Sequence, residues 1–275
     1  MLKKLLAAAT ILAGLAAYSG AAMAGPYILS GTDADDHGTA TGSANVNGWL
    51  YMQKVIENLR PNVTNGNTTV FAVGSSSTAL SAAQSAFNFS ALPGLGWSFV
   101  SIASGNVGAF FAGTNTAGQN LSNAGIIMFD SGANVSGGYT GGAITSAASA
   151  IDSYVGAGGG LFSQANGYAW LTALLPSVTV SGAGDQGISL TAAGNAAFPG
   201  LTNSDLSSGP FHETFGNTGA IPILGVSNSG ASNGLAVIIG AQGGSITAPE
   251  EVPEPATLAV LGLGLAGLGW ARRRR

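Results

Sequence analysis

The sequence has 275 residues, of which only 8 are basic and 12 acidic, and it contains 44 glycines and no cysteine. An ordinary soluble domain has about a quarter of its residues charged and roughly half as much glycine. The missing cysteines exclude a disulfide framework, a cysteine zinc site and a cysteine nucleophile, and the apolar share of 46% excludes a charge-rich disordered chain.

The basic residues lie almost entirely at the two ends of the chain. Between Gly25 and Glu251 only Lys54 and Arg60 remain, against eleven carboxylates, so this region has a net charge of −9. Nucleic-acid binding depends on a basic surface that neutralises phosphates. The charge distribution therefore argues against nucleic acid as a partner.

The start of the chain predicts a secretory signal peptide over residues 1–24. Two lysines at positions 3 and 4 precede an apolar segment at residues 5–18, and Ala22 and Ala24 form a cleavage site with small residues for signal peptidase. A membrane-anchor helix is the alternative, and the small residues at its end argue against it. We therefore expect export and cleavage before Gly25.

Residues 25–248 predict one domain in which strands alternate with helices. An apolar strand at residues 27–30 ends in a Gly/Asp loop, and a helix running to Leu59 has Asn47 as its expected cap. We predict further strands at 69–73, 98–103, 125–129 and 161–163 and near Val178, Ile188, 221–226 and 235–239, and helices at 78–87, 144–155 and 168–175.

This order indicates an α/β fold with three layers, in which a mainly parallel sheet has helices on both faces, as in flavodoxin-like proteins. The sequence shows no repeat of fixed period, which disfavours a solenoid. The richness in glycine and small polar residues leaves an all-β, Gly-rich sandwich or β-helix as the alternative fold.

The loop after the first strand holds the densest group of charges in the domain, with Asp33, Asp35, Asp36 and His37 within five residues. Loops at the carboxyl ends of strands form the ligand crevice of open α/β sheets. Clustered carboxylates repel one another unless a cation bridges them, and oxygen ligands suit Ca²⁺ or Mg²⁺. The sequence predicts a cation site of Asp33, Asp35 and Asp36, with an ordinary solvated turn as the alternative.

The second candidate group is His212 with Glu213, because the chain has only two histidines and both lie beside carboxylates. A His next to a Glu suits acid/base catalysis, although neighbours on a strand point to opposite faces. If the domain has a site, we expect Asp35, His37 and His212 to converge at one edge of the sheet. A hydrolase built around a cation is the catalytic hypothesis, and an incidental polar loop is its alternative.

The third candidate is a glycine-rich run at residues 158–167, placed where a strand turns into a helix. This run, followed by His212 and Glu213, resembles the class I glutamine amidotransferase-like superfamily, including its ThuA-like branch. The resemblance implies a nucleophile elbow in this run and a late loop bearing the His and Glu. Ala165 stands where that family has its nucleophile, so the resemblance implies a body without glutaminase chemistry. Ser163 is the alternative nucleophile.

The end of the chain has three parts: a rigid linker at residues 249–257, an uncharged Leu/Gly-rich segment, and a basic end. The segment from 258 to 270 is short of the length that spans a bilayer, which favours a transient membrane tether. The basic end acts as a stop-transfer signal whose arginines stay in the cytoplasm. The sorting motif in the linker consists of Pro253, Glu254 and Pro255. The predicted C-terminal helix and basic cluster cover 258–275, and the stop-transfer residues are Arg272, Arg273, Arg274 and Arg275.

These three parts together are similar to the PEP-CTERM sorting signal of Gram-negative bacteria. The resemblance implies recognition by a membrane-embedded exosortase, an inner-membrane intermediate, and delivery to the cell surface or the extracellular space. It also implies an association with exopolysaccharide and biofilm matrix. We therefore interpret the chain as an exported, surface-sorted protein whose α/β body is a non-catalytic matrix or binding component, with the cation-dependent hydrolase as the alternative.

Overall fold

The computed structural model describes residues 25–116, 118–132, 138–139, 141–164, 168–171, 175–207 and 209–241. The predicted signal peptide (1–24), linker (249–257) and C-terminal segment (258–275) lie outside the described residues, and so does Ala165. The predicted domain at 25–248 is therefore described as far as residue 241, with gaps.

The described residues form one large sheet and a separate hairpin. The large sheet has the order β5-β4-β6-β7-β1-β12-β10-β8, with β11 paired to β12 and β9 paired to β11, while β2 and β3 form the hairpin. In chain order the strands are β1 (Tyr27–Ser30), β2 (Gly38–Thr41), β3 (Ala44–Asn47), β4 (Thr69–Val73), β5 (Ser98–Ile102), β6 (Ile126–Phe129), β7 (Gly160–Ser163), β8 (Thr179–Gln186), β9 (Ile188–Leu190), β10 (Pro210–Gly216), β11 (Ile223–Ser227) and β12 (Ala236–Ala241).

The sheet is mixed, and β1 separates its two halves. Strands β5, β4, β6, β7 and β1 run parallel to one another. All pairings beyond β1 are antiparallel, beginning with β1 against β12. The prediction of an α/β fold is confirmed, and the expectation of a mainly parallel sheet is wrong. Eight residues join β11 to its antiparallel partner β12, which is too short for the crossover of about a dozen residues that a parallel pair needs.

The order of the parallel strands also differs from the flavodoxin pattern. Numbered by their sequence in the chain, the five parallel strands have the order 3-2-4-5-1, where flavodoxin-like sheets have 2-1-3-4-5. The first strand lies between the parallel and antiparallel halves, so it is central to the whole sheet. The loop after β1 is therefore close to the end of β7 and to the beginning of β12.

Helices cover both faces of the sheet, and each face has its own hydrophobic core. Successive strand residues alternate between the cores, so that Ile28 belongs to one and Leu29 to the other. Helices α1 and α2 pack on the first face, and α3, α4 and α5 on the second. The helix bounds are α1 (Gly48–Leu59), α2 (Ser77–Asn88), α3 (Val107–Ala112), α4 (Gly142–Ser146), α5 (Ala148–Gly156) and α6 (Ala192–Ala197).

The helices rule out the all-β alternative, and α1 begins where the sequence predicts. Asn47 does precede α1, but it has a left-handed backbone with φ of 56° and its side chain makes no capping hydrogen bond. The Gly48 N–H instead donates to the carbonyl oxygen of His37 at 3.1 Å. The start of α1 is therefore attached to the end of the acidic loop.

Candidate functional site

The acidic loop after β1 is held by backbone hydrogen bonds along its length. The Gly31 N–H donates to the carbonyl of Val237 in β12 at 2.8 Å, and the Asp36 N–H donates to the carbonyl of Asp33 at 2.9 Å. The indole Nε1–H of Trp49 in α1 donates to the Asp35 carbonyl at 3.0 Å. These contacts fix the direction in which each acidic side chain leaves the loop.

Asp33 is the centre of a group of polar side chains from both ends of the domain. Its carboxylate is buried, and its Oδ2 lies 3.2 Å from His37 Nε2 and 2.9 Å from His212 Nε2. One ligand atom each from Asp33, Asp36 and His37 lies within 4.8 Å of the others. We call Asp33, Asp36, His37 and His212 the Asp33 cluster.

Strand β10 carries His212 to this loop. The His212 N–H donates to the carbonyl of Gly31 at 2.8 Å, and Thr32 forms an isolated antiparallel bridge with Phe211. The register of β10 against β8 shifts between Phe211 and Glu213, at the position of the histidine. Such irregularities often re-aim a side chain next to a functional site.

Two glycines permit the close approach of these segments. A Cβ atom at Gly31 would overlap the backbone carbonyl of Glu213, and a Cβ atom at Gly209 would overlap the imidazole of His37. Neither position has room for a side chain. Because neither glycine has a side chain, the backbone segments around them can approach closely enough for both histidines to reach Asp33.

The space beside the Asp33 cluster is very small. A cavity of about 10 Å³ is lined by Asp33 and His37 together with Thr32, Asp205 and Gly209, among others. A space of this size holds about one water molecule. Among the described residues, the cavity thus offers room for an ion or a water but none for an organic substrate.

Asp35 points away from this cluster and toward the end of β6. Its Oδ2 accepts a hydrogen bond from the Ser131 N–H at 3.0 Å, and the residue is fully buried. Burial raises the pKa of Asp35 to about 7, against the opposing effect of hydrogen bonding from Ser131, and the charges of Asp130 and Asp33 add to the rise.

Asp130 forms a second buried acidic position, directly after β6. Its Oδ2 accepts a hydrogen bond from the Ser75 hydroxyl at 2.7 Å, and its Oδ1 accepts from the N–H groups of Gly132 and Tyr139. Burial raises the pKa of Asp130, although these three hydrogen bonds oppose the rise. Ser75 follows β4, so the parallel strands β4 and β6 both end in this network.

The end of β7 contributes buried polar side-chain atoms that are not acidic. The Oγ of Ser163 and both side-chain polar atoms of Gln164 are buried and have no hydrogen-bond partner among the described residues. Ser163 is completely buried at the end of its strand, whereas a nucleophile must be reachable by its substrate. The position Ala165, at the predicted elbow, lies outside the described residues.

The structure brings some of the predicted site residues together and separates others. His37 and His212 meet, but they meet at Asp33, while Asp35 joins Ser131 and Asp130. Glu213 lies in β10 and not in a loop, which corrects the late loop that the amidotransferase resemblance implies. Sequence reasoning missed Asp130, although an aspartate directly after a fully buried strand is the same signal that drew attention to Asp33.

Two larger cavities lie at the opposite edge of the sheet, near the amino ends of the parallel strands. One, of about 610 Å³, is lined mainly by alanines and other apolar residues. The other, of about 570 Å³, has amide and aromatic side chains in its wall, including Asn65, Asn67, Phe111 and Tyr154. Neither cavity includes a residue of the Asp33 cluster.

Comparison with known families identifies the end of the chain. Residues 251–275 match the PEP-CTERM protein-sorting motif. The chain carries a PEP-CTERM signal. This motif marks an exosortase-processed protein that is exported to the cell surface or the extracellular space, as the sequence predicts.

The PEP-CTERM match does not extend to the α/β body. No curated protein and no solved structure matches the chain, and the resemblance of the body to amidotransferases has no support from these comparisons. Within the described ranges, which end at residue 241, no helix is long and apolar enough to span a bilayer. The hydrophobic part of the PEP-CTERM signal lies outside those ranges.

Proposed function

We propose that the α/β body is a binding component of the extracellular matrix, that its partner is exopolysaccharide, and that it is not an enzyme. The observation that carries the proposal is the PEP-CTERM sorting motif at residues 251–275, which delivers the body to the place where matrix polymers lie. The acidic body, with a net charge of −9 between Gly25 and Glu251, suits a neutral or cation-bridged polymer better than a strongly anionic one.

Among the described residues, the small space beside the Asp33 cluster argues against hydrolysis of a polymer at that position. A catalytic site must admit its substrate to within hydrogen-bonding distance of the acid and base. The cavity beside Asp33 and His37 holds about one water molecule. Glutaminase chemistry has a further obstacle, because the chain has no cysteine and an alanine stands at position 165.

The amide-lined cavity at the amino edge offers the chemistry that binds sugar rings. Asn65 and Asn67 bring amides to its wall, although the Nδ2 of each donates to the Ala124 carbonyl, and Phe111 adds an aromatic surface. The Tyr154 hydroxyl is engaged by the Gly125 and Gly160 carbonyls. Trp97 does not line this cavity and packs against the core of the opposite face, and Trp170 is buried in the core with no free face for a sugar.

Binding is tested by co-sedimentation of the purified protein with exopolysaccharide prepared from the same cells. We expect the protein to pellet with the polymer and the Phe111→Ala variant to pellet less, because Phe111 is the aromatic ring in the cavity wall. Leu95→Ala is the control, because Leu95 is 52% exposed and lies outside this cavity. Equal pelleting of all three proteins with and without the polymer would remove the support for polysaccharide as the partner.

A cation-dependent hydrolase that uses the Asp33 cluster is the second candidate function. The observation in its favour is the contact of the buried Asp33 carboxylate with the imidazoles of His37 and His212, because a carboxylate beside an imidazole suits acid/base chemistry. Release of new reducing ends from the polymer, lost in Asp33→Asn, would favour the hydrolase over the binding role.

Processing at both ends is the first expected result for the exported protein. Mass spectrometry of surface material should show a chain that begins at Gly25, because Ala22 and Ala24 form the cleavage site for signal peptidase. The same material should lack the last four arginines, because the sorting motif directs exosortase processing. An intact C-terminus in surface material would contradict this expectation.

A further inference from the structure

We propose that Asp33, His37 and His212, with Asp36 on the solvent side, bind a divalent transition-metal ion of the zinc type. The ion ties the loop after β1 to strand β10. This site differs from the calcium or magnesium site expected from the sequence in its metal and in having two histidines in place of Asp35. It does not depend on what the body binds, because its ligands lie at the edge of the sheet opposite the amide-lined cavity.

The distances from Asp33 Oδ2 to the two imidazoles fit a hydrogen bond and also fit two ligands of one metal ion. Atoms that each lie about 2.1 Å from an ion are about 3.0 Å apart in octahedral and about 3.4 Å apart in tetrahedral coordination. Asp33 Oδ2 lies 3.2 Å from His37 Nε2 and 2.9 Å from His212 Nε2. Asp33, Asp36 and His37 place one ligand atom each within 4.8 Å of one another, and His212 contacts this group through Asp33, so the His212 ring must move toward the ion to coordinate it.

The ligand types favour zinc over calcium. Imidazole nitrogen suits Zn²⁺, Cu²⁺ and Ni²⁺, whereas Ca²⁺ takes six to eight oxygen ligands. The cluster offers two imidazoles and two carboxylates, and Asp35, the third predicted oxygen ligand, is engaged by Ser131. Since the chain has two histidines in total, both of its imidazoles are placed at this one carboxylate.

The surroundings fit an enclosed ion with a path from solvent. The adjoining cavity of about 10 Å³ has room for one bound water, which would complete the coordination. The side chains of His37 and His212 are 33% and 26% exposed, while that of Asp33 is 3% exposed. The ion therefore reaches the histidines from outside and the carboxylate holds it from within.

The position of the ligands gives the ion a structural role. Asp33 and His212 are separated by 179 residues in the chain, and their link joins the central strand β1 to the antiparallel half of the sheet. A cross-link that closes a long loop stabilises a fold by limiting the unfolded chain. A metal ion would provide this cross-link in an exported protein that has no cysteine for disulfides.

The decisive experiment is long-range ¹H–¹⁵N NMR of the two imidazole rings, using the purified protein without a histidine tag. Addition of ZnCl₂ should shift the Nε2 resonances of both rings to the values of metal-bound nitrogen, with saturation at one Zn²⁺ per chain. The melting temperature should rise by roughly 5–10 °C at a hundredfold excess over Kd and fall again with EDTA. CaCl₂ at the same concentrations should leave both imidazole signals unchanged.

Variants separate this site from adventitious zinc binding. His212→Gln and Asp33→Asn should abolish the thermal shift, and Asp152→Asn, on helix α5 at the other face of the sheet, should retain it. If both Nε2 atoms of the wild-type protein stay protonated at excess zinc, the cluster is a hydrogen-bonded structural group and the proposal is wrong. The same conclusion follows if folded His212→Gln binds zinc as tightly as the wild type. Failure of polysaccharide binding would leave these results unaffected.

Discussion

Replacing Asp35 with asparagine is expected to stabilise the protein at pH 8 by up to roughly 4 kcal/mol. Burial raises the pKa of Asp35 from 3.8 to about 7. An acid whose pKa is higher in the folded state binds its proton more tightly there, so its contribution to stability is complete at low pH and is lost as the pH rises through about 7. Asparagine keeps the shape and the acceptor for Ser131 without the buried charge.

Urea unfolding at pH 5 and pH 8, with EDTA to remove metal ions, measures this effect. The wild type should lose about 2–3 kcal/mol of unfolding free energy between the two pH values from Asp35 alone. Asp35→Asn should lose much less, and the residual slope should include buried Asp130, whose pKa is also raised. Asp152→Asn, at a partly exposed site, should follow the wild type. An identical slope in Asp35→Asn and wild type contradicts the expectation.

The substitution Gly31→Ala is expected to destabilise the fold by about 3 kcal/mol or more. A Cβ atom at this position would overlap the backbone carbonyl of Glu213, which has no flexible side chain that can move aside. To accommodate the methyl group, β10 must separate from the loop after β1. The hydrogen bond from the His212 N–H to the Gly31 carbonyl should then weaken, and His212 should move away from Asp33.

Gly108→Ala provides the matched control for this substitution. Gly108 lies in helix α3, and a Cβ atom there would meet nothing within 4 Å. Alanine in an exposed helix should stabilise by about 0.5–1 kcal/mol. Changes in unfolding free energy of opposite sign for the two variants, relative to the wild type, would locate the effect in the contact with β10. A Gly31→Ala protein as stable as the wild type would show that the close contact between the Gly31 and Glu213 backbones is not required for stability.

The parts of the fold that follow from local sequence patterns could be predicted. The strands β4 and β6 are continuous apolar runs, and α1 has its apolar residues at helical spacing up to Pro61. The hairpin β2–β3 was missed because its residues are small and polar, with no alternation that marks a buried face. The antiparallel half was missed because strand direction is set by pairing between distant residues, which a single sequence does not display.

For the candidate site, too, the residues could be predicted from the sequence, but the contacts between them could not. Clustered acidic residues after β1 drew attention to the loop, and the two histidines were singled out as the only ones in the chain. Which acid meets the histidines depends on the turn in which the Asp36 N–H donates to the Asp33 carbonyl, because this turn sends Asp33 and Asp35 to different sides. The residue types were therefore enough to predict where the site lies, whereas the backbone hydrogen bonds of the loop determine which acidic side chain meets the histidines.

The central position of β1 has a consequence for the order in which the protein folds. Tyr27 pairs with Leu161 on one side and with Ala241 on the other, so β1 meets both of its neighbours only late in the described chain, the second of them at its end. Sheets that depend on contacts between distant residues fold slowly, because long loops must close before the contacts form. The two half-sheets can therefore join only when β12, the last described strand, is available to pair with β1.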